Sequence, residues 1–290
     1  MSRLTGYILA VVAAATYGMN PLFAIPLYRQ GMETDSVLIL RYLLAIVPVG
    51  ILMLMRGEKF SLTLRQGALL AAAGILMGLS SWTLFASYRY MNSGIASTLL
   101  FVYPIMVALI MGLFFRERLG MGTWVGLAIA MVGIGVLFDN PGGEPLSLLG
   151  TVLVGISALV YAIYMVGVRQ TSLGSMSTLK ISFYVLVFGV WVFLIPMMLS
   201  GAGMSLPRNL SGWGCGIGLA VFPTAVSFIC TALAIQRIGA TPTAILGALE
   251  PVTAIIFGVT LLGQPIHPRD WVGIALILVA VTLTVATTRR

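Results

Sequence analysis

The sequence predicts an all-α membrane protein, with ten transmembrane helices arranged as two inverted five-helix repeats. Three observations predict it. Of the 290 residues, 59% are hydrophobic and only 8% charged, against about 25% charged in an ordinary soluble domain, so a water-facing surface could not be covered. The apolar residues come in long blocks that suit the roughly 20 residues a helix needs to cross about 30 Å of hydrocarbon, and the short polar-apolar alternation of a barrel is absent. A phrase of the fourth block, "LFVYPIMVALIMGLF" at 100–114, returns in the ninth as "ALEPVTAIIFGVTLL" at 248–262.

The blocks follow in order. Residues 4–25 come after Arg3 and have the look of a secretory signal. They are too long for a signal core, however, and run into Asn20-Pro21 without an obvious cleavage site. This is a retained helix whose Ala13, Tyr17 and Asn20 share a face. Block 36–55 carries Arg41 about five residues in. Block 66–88 has Gly74 and Gly78 at a spacing that permits close helix contact, then Ser81, Trp82 and Phe85. Block 94–115 holds Tyr103 and Pro104, and block 120–138 opens on Trp124-Val125-Gly126, its tryptophan an interface anchor. Block 147–168 presents Ser157, Tyr161 and Tyr164, and block 176–199 begins with Lys180. Block 212–234 starts "GWGCGIG", with Gly214 and Gly218 at the close-packing spacing, and continues through Thr224, Ser227, Phe228 and Thr231. Its Cys215 and Cys230 lie about 22 Å apart along a helix, too far to pair with each other. Blocks 241–262 and 270–287 bring Glu250, Pro251 and a second anchor, Trp271.

The echo is a repeat. An offset of 147 residues carries Leu99 onto Leu246, Pro104 onto Pro251, and Trp124-Val125-Gly126 onto Trp271-Val272-Gly273; small gaps bring Tyr17 onto Tyr161 and Arg41 onto Lys180. The units are 1–140 and 141–290. Five helices is an odd number, so the second unit enters the membrane from the opposite side, and a pseudo-two-fold axis lies in the membrane plane. Two similar units packed unequally can exchange conformations, which turns a cavity open to one side into one open to the other. The net charge of +8 is spread among loops and makes no nucleic-acid patch. Alternate loops hold ten basic residues on one side and four on the other, so the richer side, with both termini, is cytoplasmic.

Seven of the eight acids fall in loops or at helix ends; Glu250 falls near mid-bilayer, where a charge costs about 2.5 to 3.5 kcal/mol unless paired or hydrated. Thr243, Gly247, Glu250, Ala254 and Gly258 form a small and polar stripe that should face the bundle. Pro251 and its counterpart Pro104 are expected to kink their helices. Glu250 either binds a substrate ammonium group, takes up a coupling proton, or does both; the structural alternative is a protonated acid, or one paired with Arg41 or Lys180. Those two cations either snorkel to the interface or act as gate charges, one per half. Tyr103 holds the position equivalent to Glu250. With Tyr17, Asn20, Ser81, Trp82, Tyr161, Tyr164, Ser227 and Thr231 it would line an aromatic pocket for an amphipathic small molecule. A single histidine, His267, no HExxH, no paired intramembrane aspartates and no P-loop leave no motif for catalysis, a metal or a cofactor. A channel remains a rival that saturable counterflow would separate from a carrier.

The segments "ATYGMNP", "LRYLLA", "FASYRYMNSGIASTLLFVYPIMVALIMGLFFRERLG", "WVGLAIAMVGIGVLF" and "ALAIQRIGATPTAILGALEPVTAIIFGVTLLGQ" resemble, in this order, the drug/metabolite transporter superfamily, EamA type. The resemblance spans nearly the whole chain. It implies a secondary carrier in the inner membrane that exports amino acids or other small metabolites, and aromatic amino-acid exporters of the YddG type belong to that group. A flippase for lipid-linked substrates is the alternative within the superfamily. The family often has a glutamate after the fourth helix of each half; Glu117 fits, while the second half has Gln264, so no shared role is assigned there.

Overall fold

The computed structural model describes residues 3–91, 96, 99–117, 120–137, 147–201, 203–262 and 268–288, and every regular element among them is helical. The first span is broken into α1 (Arg3–Tyr17) and α2 (Asn20–Arg29); α3 (Thr34–Met55) and α4 (Leu64–Ser87) are the second and third. The described helix of the fourth is α5 (Tyr103–Phe115), followed by α6 (Met121–Leu137) and α7 (Leu148–Gln170). The seventh is α8 (Thr178–Gly189) with α9 (Trp191–Ser200). The eighth runs from α10 (Leu210–Ala220) through a π-helical turn, Val221–Val226, into α11 (Ser227–Ile238). The ninth is α12 (Ala240–Leu246) and α13 (Leu249–Leu262), and α14 (Pro268–Thr288) closes the chain. Six of these spans are long and apolar enough to cross a membrane as described, and the fourth, fifth and tenth supply shorter apolar helices.

Packing repeats the internal symmetry. The third span packs on the sixth and seventh, and its counterpart, the eighth, packs on the first and second. The fourth packs on the sixth as the ninth does on the first. Three pairs are their own counterparts: second with seventh, fourth with ninth, and fifth with tenth. Such pairs must straddle the pseudo-two-fold axis, so the crossing of the fourth and ninth spans marks the centre of the molecule. Apolar side chains point outward, with Leu64 94%, Leu199 84% and Phe114 76% exposed, which suits contact with lipid tails. Trp124 and Trp271 are exposed too, as expected of anchors.

The third and seventh spans meet backbone to backbone. A Cβ added at Gly78 would lie 2.7 Å from the Gly189 carbonyl oxygen, and one at Gly74 would lie 2.7 Å from the Phe188 Cβ. Small residues allow this approach, and dispersion over the close contact replaces the hydrophobic drive that lipid does not supply. The parallel expectation for "GWGCGIG" holds for half of the motif. Gly218 presses on the Phe23 ring, whereas nothing stands within 4 Å of a Cβ at Gly214. Cys215 and Cys230 are free thiols.

At both prolines expected to kink their spans the helical bonding lapses while the backbone stays right-handed, with Val102 at φ −67°, ψ −21° and Gly247 at φ −55°, ψ −24°. Pro104 is the second residue of α5, and Pro251 lies in the first turn of α13, two residues after a Gly247-Ala248 turn. Pro251 has no N–H to offer the carbonyl four residues back, so the Gly247 carbonyl loses its helical partner. The spans are interrupted and restart on proline, and Pro21 does the same in α2.

Gly78→Ala is expected to destabilise the detergent-solubilised protein by about 1–3 kcal/mol, because backbone must shift to admit the methyl. Gly67→Ala, with no atom within 4 Å of the new Cβ, should be neutral or mildly stabilising. Equal thermal midpoints for the two variants would contradict the close-packing account.

Candidate functional site

The site grows from two interruptions that face each other. At the end of α1, Gly18 seats directly on the ninth span, where a Cβ would meet the Glu250 carbonyl oxygen at 2.5 Å and the Thr253 hydroxyl at 2.0 Å. On the same span Gly247 seats the Tyr103 hydroxyl, which donates to the Ala244 carbonyl at 3.1 Å. The carbonyl of Gly247, released by Pro251, accepts the Glu250 N–H at 2.8 Å. Glu250 is therefore not mid-helix, as the unbroken block suggested; it is the second residue of α13. There the partial positive charge of a helix N-terminus favours a carboxylate. Interrupted helices that meet near the midplane are how transporters bring polar backbone to a buried site.

Tyrosines surround the carboxyl. Tyr103 and Tyr161 meet edge to face with centroids 5.0 Å apart, and Tyr161 stacks on Tyr164 at 6.1 Å. Tyr17, Tyr103 and Tyr161 all lie within electrostatic reach of Glu250. Tyr17, Tyr161, Tyr164, Ser227 and Thr231 converge with Met77 and Phe228 on one narrow gap between the halves, too small in this conformation to hold a water molecule.

Arg41 lies beside Tyr17 and is fully buried, which overturns snorkelling for this residue. Its position follows from Pro223, which lacks an N–H and sits in the π-helical turn. The Leu219 carbonyl four residues back takes the Thr224 hydroxyl instead, at 2.7 Å. That hydroxyl oxygen in turn accepts Arg41 Nε at 2.6 Å, and the Pro223 carbonyl accepts Arg41 Nη2 at 3.2 Å. The guanidinium carbon lies 5.7 Å from the ring centroids of both Tyr17 and Phe85, where desolvated cation–π attraction contributes about 2 kcal/mol. Arg41 Nη1 is buried without a hydrogen-bond partner. Lys180, its counterpart, does reach the surface, where Nζ donates to the Ser61 carbonyl at 2.5 Å. Neither cation forms an ion pair with Glu250 among the described residues.

The two ends of the bundle differ. Beyond Phe85 lies a cavity of about 210 Å³ bordered by Asn20, Tyr28 and Tyr88, and a wider one of about 380 Å³ reaches Glu33 and Arg89 at the surface. The cavities share Tyr28, Phe85 and Tyr88 as walls and together make the vestibule of this end. Glu33 and Arg89 form an exposed ion pair at its rim. Gln236 stands at the offset of 147 from Arg89. Toward the opposite end it joins the eighth span to the start of the seventh within one half, donating to the Met176 carbonyl at 2.8 Å and accepting the Thr178 hydroxyl at 3.2 Å, beside a cavity of about 170 Å³ bordered by Arg56, Glu58 and Ser177. The Ser177 hydroxyl reaches the Glu58 carboxylate at 2.6 Å, and the Tyr184 hydroxyl donates to the Phe60 carbonyl. Near this end, outside the spans, partial burial raises the Glu117 carboxyl above the usual range, and Arg169 partly offsets it.

Of the residues singled out from the sequence, Glu250, Tyr17, Tyr103, Tyr161, Tyr164, Ser227 and Thr231 come together. Asn20 lines the vestibule, its buried Oδ1 without a partner. Ser81 instead hydrogen-bonds the Tyr42 hydroxyl at 3.0 Å, and the Trp82 indole N–H donates to Asp35 at 2.9 Å; both hold the third span to the second. Pro104 and Pro251 restart the two helices that cross at the centre. His267, Gln264 and the side chains of Ala254 and Gly258 lie outside the described residues. Pro223, Tyr28 and Tyr88 were not singled out. A proline within the eighth apolar block was the available signal for the first of these.

Comparison with known proteins places this geometry. The profile of the EamA-like transporter family matches residues 4–138 and again 148–286. The chain is 27% identical over 270 residues to an uncharacterized inner membrane transporter, YedA, of Escherichia coli (strain K12), covering 88% of this chain and 83% of the relative. It is 24% identical over 277 residues to an uncharacterized transporter, YcbK, of Bacillus subtilis (strain 168), covering 89% and 86%. A crystal structure at 16% identity superposes with a TM-score of 0.83 over 100% of this chain and 99% of the other, so the fold is shared.

Thr224→Val keeps the shape but removes the acceptor for Arg41 Nε and the donor to Leu219. It should lower stability by about 1.5–3 kcal/mol. Ser182→Ala removes a buried hydroxyl that has no partner and should cost nothing. Thermal unfolding of both variants in one detergent checks the contrast.

Proposed function

The chain belongs to the EamA-like transporter family and is a multi-pass membrane transporter, and we propose that it exports small organic solutes, amino acids with aromatic or other bulky side chains foremost, by alternating access. One observation carries the reading. Two halves with equivalent packing end unequally, with cavities of about 210 and 380 Å³ at the Glu33–Arg89 end and, at the other, a smaller one of about 170 Å³ bordered by Glu58 and Ser177, whose hydrogen bond joins the halves. By the distribution of basic residues the vestibule end is external, with both termini cytoplasmic and the protein in the inner membrane. In this conformation the carrier faces outward. Movement of unit 1–140 against unit 141–290 would loosen the Ser177–Glu58 and Tyr184–Phe60 ties, close the vestibule, and present the central space to the cytoplasm.

Chemistry at the centre suits the substrate class. Aromatic faces supply most of the contact area of a ligand site, which favours a bulky apolar side chain. The Glu250 carboxylate is placed to take an ammonium group, and the same carboxyl could accept a coupling proton when the substrate leaves. The substrate and the surrounding lipid are the partners this reading requires.

In proteoliposomes loaded with unlabelled phenylalanine or leucine, wild type is expected to accumulate the labelled amino acid by saturable counterflow. Glu250→Gln should reduce that exchange at least ~10-fold, the equivalent of one lost interaction of about 1.4 kcal/mol. Flux that does not saturate would indicate a channel, and undiminished exchange by the variant would remove Glu250 from substrate binding.

A further inference from the structure

We propose that Arg41 is the receptor for a carboxylate on the transported substrate, so that a zwitterion spans Tyr17 with its carboxylate on Arg41 and its ammonium on Glu250. The proposal rests on the amino-acid reading above and deepens it. A buried charge without a counter-ion is unfavourable by several kcal/mol, yet Arg41 is fully buried and has no acidic partner among the described residues. Two neutral oxygens and two aromatic faces hold it in place. They fix the guanidinium without neutralising it, and Nη1 keeps its hydrogen-bonding capacity unspent.

The location fits a ligand. Phe85, against one side of the guanidinium, borders the vestibule, while Tyr17, against the other, borders the central space. A substrate arriving from the vestibule meets Asn20 and Phe85 first, and displacing the Phe85 ring opens the way to Nη1. Nη1 carries two N–H groups, and an oxygen of a carboxylate accepts from such a cation in a charge-assisted hydrogen bond. Tyr17 lies within electrostatic reach of both Arg41 and Glu250, so a cation receptor and an anion receptor flank one ring. A molecule carrying both charges satisfies both. A simple amine leaves Arg41 unsatisfied, and a simple acid leaves Glu250 so.

The test compares phenylalanine and leucine with their amides, which keep the ammonium and the side chain but lose the carboxylate. The readouts are competition in proteoliposome counterflow and thermal stabilisation of the purified full-length protein. In wild type the amides should compete about 10- to 100-fold more weakly than the acids, the range for loss of a charge-assisted hydrogen bond. Arg41→Met should bring the ratio of acid to amide close to one, and Arg41→Lys should restore part of it. Amides as effective as acids in wild type, or an unchanged ratio in Arg41→Met, would overturn the role of Arg41 while leaving a carrier of amines. If neither acids nor amides exchange or stabilise, the amino-acid reading itself falls and the proposal with it. Should the methionine variant not fold, the wild-type series alone decides.

Discussion

Everything at the centre of this molecule depends on holding a guanidinium away from water and lipid. The means is a proline. Pro223 removes one N–H from the eighth span, the span widens into a π-helical turn, and the turn offers the Thr224 hydroxyl and the Pro223 carbonyl to Arg41. Because the second span belongs to one half and the eighth to the other, this cradle is also a tie between halves. It fixes Tyr17 and Phe85 on either side of a cation, and so sets the boundary between vestibule and central space.

The opposite wall follows the same logic with the sign reversed. Three spans restart on a proline at or near the centre, and each restart lets a helix end approach where an unbroken helix would have presented only its side. Glu250 in the first turn of α13 thereby sits near a positive helix end, next to the tyrosines of three other spans. Cation and carboxyl form no ion pair among the described residues, and Tyr17 is near both. A ready-made internal ion pair would have consumed the recognition chemistry that a charged substrate needs.

Much of this was legible in the sequence. The apolar blocks and the offset of 147 residues foretold an all-helical, two-repeat membrane protein, and Glu250 stood out because acids are rare at mid-span. Of the small stripe around it, Thr243 and Gly247 are packed inside the bundle. What was not legible depended on direction and on breaks. Arg41 and Lys180 lie at equivalent depths, so distance to the helix end treated them alike; which one turns inward is decided by the π-helical turn, a distortion that periodicity cannot reveal. Trp82 and Ser81 share the face of the third span expected to line a pocket, but Asp35 and Tyr42 on the neighbouring span take their hydrogen-bonding groups. Prolines at 104 and 251 were expected to kink their spans because the apolar run continues through both sites; helical bonding does lapse at each, and an apolar run does not record how many residues such a lapse takes.

The most direct test of the account is a structure of the full-length protein bound to phenylalanine in a lipid nanodisc. The account predicts ligand density between the two halves beside Tyr17 and Tyr161, its carboxylate within hydrogen-bond distance of Arg41 Nη1 and its ammonium facing Glu250. Ligand bound elsewhere, or Arg41 paired with a protein carboxylate beside an unoccupied centre, would contradict it.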